Sequence, residues 1–304
     1  MPEQAAVSPD YRARYQAWQD SVERALPDYV CGQDKAEGGL VVEAARYSLL
    51  AGGKRIRPVL MLAVAFMLGQ PAGHVMPFAC AVELIHTYSL IHDDLPCMDD
   101  DDLRRGRPTC HKVFGEAMAV LAGDYLLNRA YEVLLDAIDP ERPETVAAAR
   151  LISRAAGVRG MIGGQVLDLA AERQKPDASA LEQMHRMKTG ALLSAPVEAA
   201  ALLACADAMT SGSLTAFGAA IGLAFQIRDD ILDVTSNTTI LGKTSGKDDR
   251  DGKSTYVSLH GLAEAERRLE QAISNAQAAL DKLEPGHDVS FLRALTRYLL
   301  GRIN

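Results

Sequence analysis

Residues 91–109 read I-H-D-D-L-P-C-M-D-D-D-D-L-R-R-G-R-P-T, six aspartates (Asp93, Asp94, Asp99, Asp100, Asp101 and Asp102) beside three arginines (Arg104, Arg105 and Arg107). Adjacent carboxylates repel, and two that share a site do not both stay ionised without a cation. Acidic blocks of this density are usually solvated tails, yet this one is fed by the apolar helical pattern A-C-A-V-E-L-I-H-T-Y-S-L-I. Far downstream, F-Q-I-R-D-D-I-L-D-V holds a second cluster: Asp229, Asp230 and Asp233. Residues three and four apart share a helix face, so Asp229 and Asp233 stack one turn apart with Asp230 alongside. Three carboxylates on an apolar helix are poor core material. They are good ligands for Mg²⁺, which prefers oxygen donors and is completed by water and substrate phosphates. Two such clusters in a chain with many basic residues spell a metal–diphosphate site.

The basic stretches supply the anion side. Gly52-Gly53-Lys54-Arg55-Ile56-Arg57-Pro58 places three cations at the N-terminal edge of an apolar helix. A helix start already favours anions, and an arginine fork grips phosphate oxygens in pairs. His86 lies seven residues, about two turns, before Asp93 and on roughly its face. Asp93 and Asp99 are six apart, on different faces of a straight helix. Pro96 disfavours helix at Leu95, so the helix is predicted to end near here, with a short loop folding Asp99 back. Lys188 and Thr189 stand in M-H-R-M-K-T-G, where Gly190 and Ala191 sit at a place a helix could be loosened. Gln226, three before Asp229, shares its face. Lys243 and Lys253 continue the basic series, but neither sits in a P-loop, because the spaced glycine and the preceding strand are missing.

The rest of the chain reads as helix. Its 304 residues are 48% hydrophobic and carry a net charge of -8, which argues against a nucleic-acid partner. The longest apolar run, P-V-L-M-L-A-V-A-F-M-L, is short of a membrane span, and the first ten residues lack the pattern of a secretory signal. Five cysteines without C-x-x-C spacing read as reduced cytoplasmic thiols. Good helix formers dominate. Ser8-Pro9 opens a first helix predicted to reach about Leu26, Gly38-Gly39 closes the next connection, and a second helix covers about Val41 to Leu50. Later breaks are expected at Gly69–Gly73, Pro140–Pro143, Pro176-Asp177, Ser211–Ser213 and Glu284–His287. The chemical stretches are spread from position 54 to 253, which favours one large domain over residues 1–304.

With D-D-L-P-C-M-D, D-D-I-L-D and G-G-K-R-I-R-P in one chain, the sequence resembles the short-chain trans-isoprenyl diphosphate synthases, most of all the bacterial farnesyl type. The resemblance implies an all-α bundle around a central cavity, a homodimer, and magnesium (three ions with substrate bound) on Asp93, Asp99, Asp229, Asp230 and Asp233. It implies that Lys54, Arg57, His86 and Arg105 hold isopentenyl diphosphate. Arg104, Lys188, Lys243 and Lys253 would line the allylic diphosphate (dimethylallyl or geranyl), with Thr189 and Gln226 turning oxygen dipoles to the allylic cation in a kinked helix. Gln165 and Asp168 resemble a segment lining the cavity. Tyr88 and Ser89, five and four before Asp93, would set product length at farnesyl diphosphate. A geranylgeranyl product, a terpene cyclase and a non-catalytic synthase subunit are the alternatives; complete aspartate motifs and a second basic group speak against the last two.

Overall fold

The structure, a computed structural model, describes residues 9–31, 39–174, 176–235 and 254–300. The chain runs α1 (Pro9–Cys31), α2 (Gly39–Leu49), α3 (Ile56–Met67) and α4 (Ala72–Asp93), then a hairpin of β1 (Leu103–Arg104) and β2 (Arg107–Pro108). α5 (Cys110–Phe114), α6 (Glu116–Asp136), α7 (Pro143–Ala156), α8 (Met161–Arg173) and α9 (Ala178–His185) follow. A π-helical turn, Arg186–Gly190, joins α9 to α10 (Ala191–Leu203). After α11 (Ala208–Thr235) come α12 (Tyr256–His260), α13 (Leu262–Asp281) and α14 (Ser290–Leu300).

The fold is all-α, and its frame is made by helices apolar on every side. α4 buries Val75, Phe78, Val82, Leu84, Ile85 and Ile91, among others, around its circumference. α10 does the same with Leu192, Leu193, Val197 and Leu203. Burial of that kind belongs to a helix inside a bundle. α4 packs on α3 and α6, α10 on α3, α7 and α11, and α11 on α13. Amphipathic helices close the outside. α14 leans on α1 through Phe291, whose ring centroid is 4.9 Å from that of Tyr11 and 4.5 Å from that of Trp18.

Several boundaries differ from the sequence expectation, each for a visible reason. α1 does not stop near Leu26; it continues through Pro27 to Cys31. Proline forfeits one backbone bond there, while Val22, Leu26 and Val30, all fully buried, carry the apolar stripe across it. Gly39 begins α2 and does not lie in the connection before it. No break occurs at Ser211–Ser213. The chain turns earlier, at Cys205 with φ 49°, and Asp207 accepts from the Thr210 amide at 2.8 Å, so the serines fall in the first turns of α11. The hairpin is an addition to the helical reading. Arg105 and Gly106 both have positive φ, 54° and 74°, as the two central residues of a type I′ turn require. α11 also holds an uncharged window long and apolar enough to cross a membrane, which a count of strictly apolar residues passes over because serines, threonines and glycines punctuate it. Half of that window is buried inside the protein.

The π turn is seated by glycines. A Cβ on Gly164 of α8 would collide with the backbone nitrogen of Lys188, and one on Gly222 of α11 would stand 2.9 Å from the Cα of Gly190. Gly164→Ala is therefore expected to force α8 off the π turn, at a cost of about 1–3 kcal/mol, read as a lower urea midpoint with an unchanged slope.

Candidate active site

One cavity of about 900 Å³ opens between the start of α3, the second half of α4, the hairpin, α8, the π turn and α11. Lys54, Arg57, His86, Arg104, Arg105, Lys188, Thr189, Asp93, Asp99 and Asp229 all stand on its wall.

The basic side begins with the turn between α2 and α3. The Tyr15 hydroxyl donates to the Lys54 carbonyl, and Gln19 Nε2 donates to the Gly53 carbonyl at 2.6 Å. Arg55 adopts a left-handed conformation, φ 48°. Its guanidinium donates to Glu23 at 2.8 Å, Glu83 at 2.7 Å and the Leu49 carbonyl at 2.6 Å. That buried tie fixes Lys54 and Arg57 on either side of it. Arg57 Nε is buried without a hydrogen-bond partner among the described residues. Burial lowers the Arg57 pKa to about 10 against the pull of Glu83 and Asp229, with Arg105 adding to the fall. Arg105 donates to the Gly52 carbonyl, and its guanidinium lies where a Cβ on Gly53 would stand, 2.6 Å from Cζ. Burial, then Arg57, Arg105, Arg104 and Arg55, hold the His86 pKa well below its ordinary value. The imidazole is neutral.

Across the cavity the carboxylates gather. α4 ends at Asp93, and the Asp99 amide donates back to the Asp93 carbonyl at 2.9 Å, so the loop folds the second aspartate towards the first. Asp94 is buried and takes Arg104 Nε at 2.7 Å. Lys188 Nζ sits 2.5 Å from Asp168 Oδ2. Of the second cluster, Asp229 reaches the cavity wall. Asp230 and Asp233 are not wall residues: Asp230 accepts from Gln226 Nε2 at 2.9 Å and from the Tyr256 amide at 2.8 Å, while Asp233 Oδ2 is buried without a partner among the described residues. Gln226 also stands behind the wall, its Oε1 accepting from the Thr189 hydroxyl at 2.7 Å. Lys243 and Lys253 lie outside the described residues.

The acidic set fits a hard divalent cation. Burial raises the Asp93 pKa to about 6; Asp99 and Asp94 add to the rise, and Lys188 and Arg104 oppose it. Crowded oxygen donors held against their own repulsion, with the orphaned oxygen of Asp233 one helical turn beyond Asp229, are what Mg²⁺ would neutralise. Asp100, Asp102 and His111 form another close group, with ligand atoms within 4.8 Å of one another, although Lys112 pairs with Asp102 at 2.7 Å.

Beyond the charges the cavity turns apolar, along Val120, Ile162, Val166, Leu169 and Phe225. Tyr88 and Ser89 are on this wall. The Tyr88 ring meets His92 edge-on at 5.7 Å, and Ser89 Oγ donates to the His86 carbonyl at 2.9 Å. Sequence reading missed Glu23 and Glu83 as the counter-ions of Arg55. The only local signal was Glu83, a charge inside the apolar run A-V-E-L-I.

Comparison with known proteins follows the same lines. The polyprenyl synthetase family profile matches residues 39–285. The farnesyl diphosphate synthase of Geobacillus stearothermophilus is 49% identical over 264 residues, 86% of this chain and 88% of that protein. Geranylgeranyl pyrophosphate synthase 3 of Arabidopsis thaliana, chloroplastic, is 46% identical over 271 residues, 87% of this chain and 74% of that one. The crystal structure of a geranyltransferase from Helicobacter pylori, complexed with magnesium and isoprenyl diphosphate, superposes with a TM-score of 0.81 at 32% identity, covering 97% of this chain and 96% of that one.

Two outcomes are expected from this geometry. Asp93 prefers its proton in the folded state, with a pKa of about 6 against an ordinary 3.8. The metal-free fold therefore binds more protons than the unfolded chain in that window and loses stability as pH rises through it. Asp93→Asn should melt above the wild type at pH 8 in chelator, converge with it near pH 4, and lose the stabilisation by magnesium that the wild type shows. Glu83→Leu removes one of the two carboxylates that balance buried Arg55, leaving Glu23 as its partner, and should cost about 1–3 kcal/mol, measured by urea unfolding.

Proposed function

The chain belongs to the polyprenyl synthetase family, and on that premise we propose that it condenses isopentenyl diphosphate with dimethylallyl and then geranyl diphosphate to give farnesyl diphosphate. The observation that carries this reading is one cavity lined by Lys54, Arg57 and Arg105 at the turn before α3, by Arg104 and Lys188 on their own carboxylates, by three aspartates and by an apolar extension. A terpene cyclase has one diphosphate to bind and no use for the second group.

Lys54, Arg57 and Arg105 hold the diphosphate of the isopentenyl substrate. His86, its pKa held low by burial and by the arginines around it, adds a hydrogen bond to it. Asp93, Asp99 and Asp229 hold magnesium, three ions in all, with Asp230 and Asp233 behind them on α11. Bound magnesium supplies the positive charge that the departing diphosphate needs. Arg104 and Lys188, each braced by its own carboxylate, face the same leaving group, joined by Lys243 and Lys253. Thr189 lends its oxygen to the allylic carbon as the carbon–oxygen bond opens. The double bond of the second substrate attacks, and the proton released passes to the departing diphosphate, so no protein base is required. The apolar wall excludes water from the cation.

A single domain, a homodimer and a cytoplasmic setting complete the proposal. α6 carries Leu121 exposed beside the cavity-lining Val120, an apolar face that suits a second copy, and all five cysteines are free thiols.

The test is the product. Protein incubated with Mg²⁺, labelled isopentenyl diphosphate and dimethylallyl diphosphate should yield farnesol after dephosphorylation, and nothing with chelator present. Folded protein that gives no condensation would defeat the reading. Tyr88→Ala opens the wall of the tail channel and should shift the main product to twenty carbons or longer; an unchanged farnesol peak would remove Tyr88 as the stop.

A further inference from the structure

Three helical threonines in this protein return their hydroxyl hydrogen to the carbonyl one turn back. Thr87 does so to Glu83, Thr235 to Ile231 and Thr296 to Leu292, each at 2.8 Å. Thr189, on the cavity wall in the π turn, instead donates across to Gln226 Oε1 of α11 at 2.7 Å. The reason lies one turn further along α11. Asp230 is 3% exposed, and a carboxylate only accepts, so Gln226 must present its NH₂ to it; the bond is 2.9 Å. That choice turns the amide oxygen the other way, towards Thr189. An amide oxygen also only accepts, so the Thr189 hydroxyl must donate. Its hydrogen is thereby committed inside the protein, and the lone pairs of Oγ1 are left for the cavity.

The other carboxylate oxygen of Asp230 is held by the Tyr256 amide at 2.8 Å. Tyr256 is the first residue of α12, where Thr255 and Ser258 bond reciprocally to each other's amides. The carboxylate is thus fixed from both sides. We infer that Asp230 sets the direction of the chain Asp230–Gln226–Thr189 and so keeps the negative end of the Thr189 hydroxyl facing the allylic carbon. Asp230 is then a positioning residue for ionisation, acting through Gln226. This rests on the prenyl-transfer reading, under which the cavity must stabilise a carbocation and a hydroxyl hydrogen pointing into it would repel one.

The experiment is Asp230→Asn, which keeps the shape and removes the obligation to accept. With its oxygen on the Tyr256 amide, the new side chain turns its NH₂ to Gln226, which reverses, and Thr189 is released to point its hydrogen at the substrate. The kcat for condensation should fall roughly 10- to 100-fold. KM for each diphosphate and the half-saturating Mg²⁺ concentration should stay within about twofold. In a Thr189→Val background Asp230→Asn should cost little more, whereas a Thr189→Ser background keeps the loss. Gln226→Leu breaks the chain in the middle and leaves the clasp on α12 intact; it should show the same kcat loss and the same non-additivity even if Asp230→Asn melts early. A raised magnesium requirement in Asp230→Asn with additive losses would make Asp230 a metal ligand and overturn the inference. So would an unchanged kcat. A wild type that does not condense at all would instead defeat the prenyl-transfer reading.

Discussion

Cations that must face an open cavity need anchoring from behind, and in this protein the basic wall depends on the buried meeting of Arg55 with Glu23 and Glu83. Those three side chains come from α1, α4 and the turn before α3, so the contact locks the two helices to the segment that carries Lys54 and Arg57. A buried ion pair is a weak source of net stability, because desolvation offsets much of the attraction. What it supplies is geometry. Once Arg55 is tied, the glycine turn has one shape, and Arg105 can lie flat on Gly53.

The same device recurs on the opposite wall. Arg104 rests on Asp94 and Lys188 on Asp168. Each cation is thereby braced by a carboxylate that does not line the cavity, while Asp99 and Asp94 crowd Asp93. A protein of net charge -8 in this way gathers positive charge around His86, which adds to burial in holding its pKa below the ordinary value. Charge is organised by position, and the overall balance says little about it.

Much of this was legible in the sequence, because it depends on spacing within a few turns. The two aspartate clusters, the end of α4 near Pro96 and the cationic turn before α3 are local patterns. What escaped depends on contacts across the fold. Glu23 and Glu83 lie 32 and 28 residues from Arg55, and nothing near them marks them as its partners. Asp229 and Asp230 look alike as letters, yet adjacent helical residues point about 100° apart, and packing by α12 decides which one reaches the cavity. Pro27 and the serines of α11 misled for the opposite reason. Their local preference for a break is real, but a buried apolar stripe in one case and the Asp207 cap in the other outweighed it.

The π turn at Arg186–Gly190 has a consequence for how the chain can vary. Such a turn holds one residue more than a regular helix would over the same span, so α9 and α10 are rotated in phase relative to an uninterrupted helix. Each can then present its own apolar stripe, α9 towards α11 and α13, α10 towards α3 and α7, although both belong to one continuous rod. Losing a single residue here would restore regular winding and rotate one half against the other, exchanging buried for exposed positions along its whole length. Substitutions in this segment change one side chain; an insertion or deletion changes the reading frame of a helix face. Length is therefore the property of residues 186–190 that descent must preserve, more strictly than the identity of any one of them apart from those that enter the cavity.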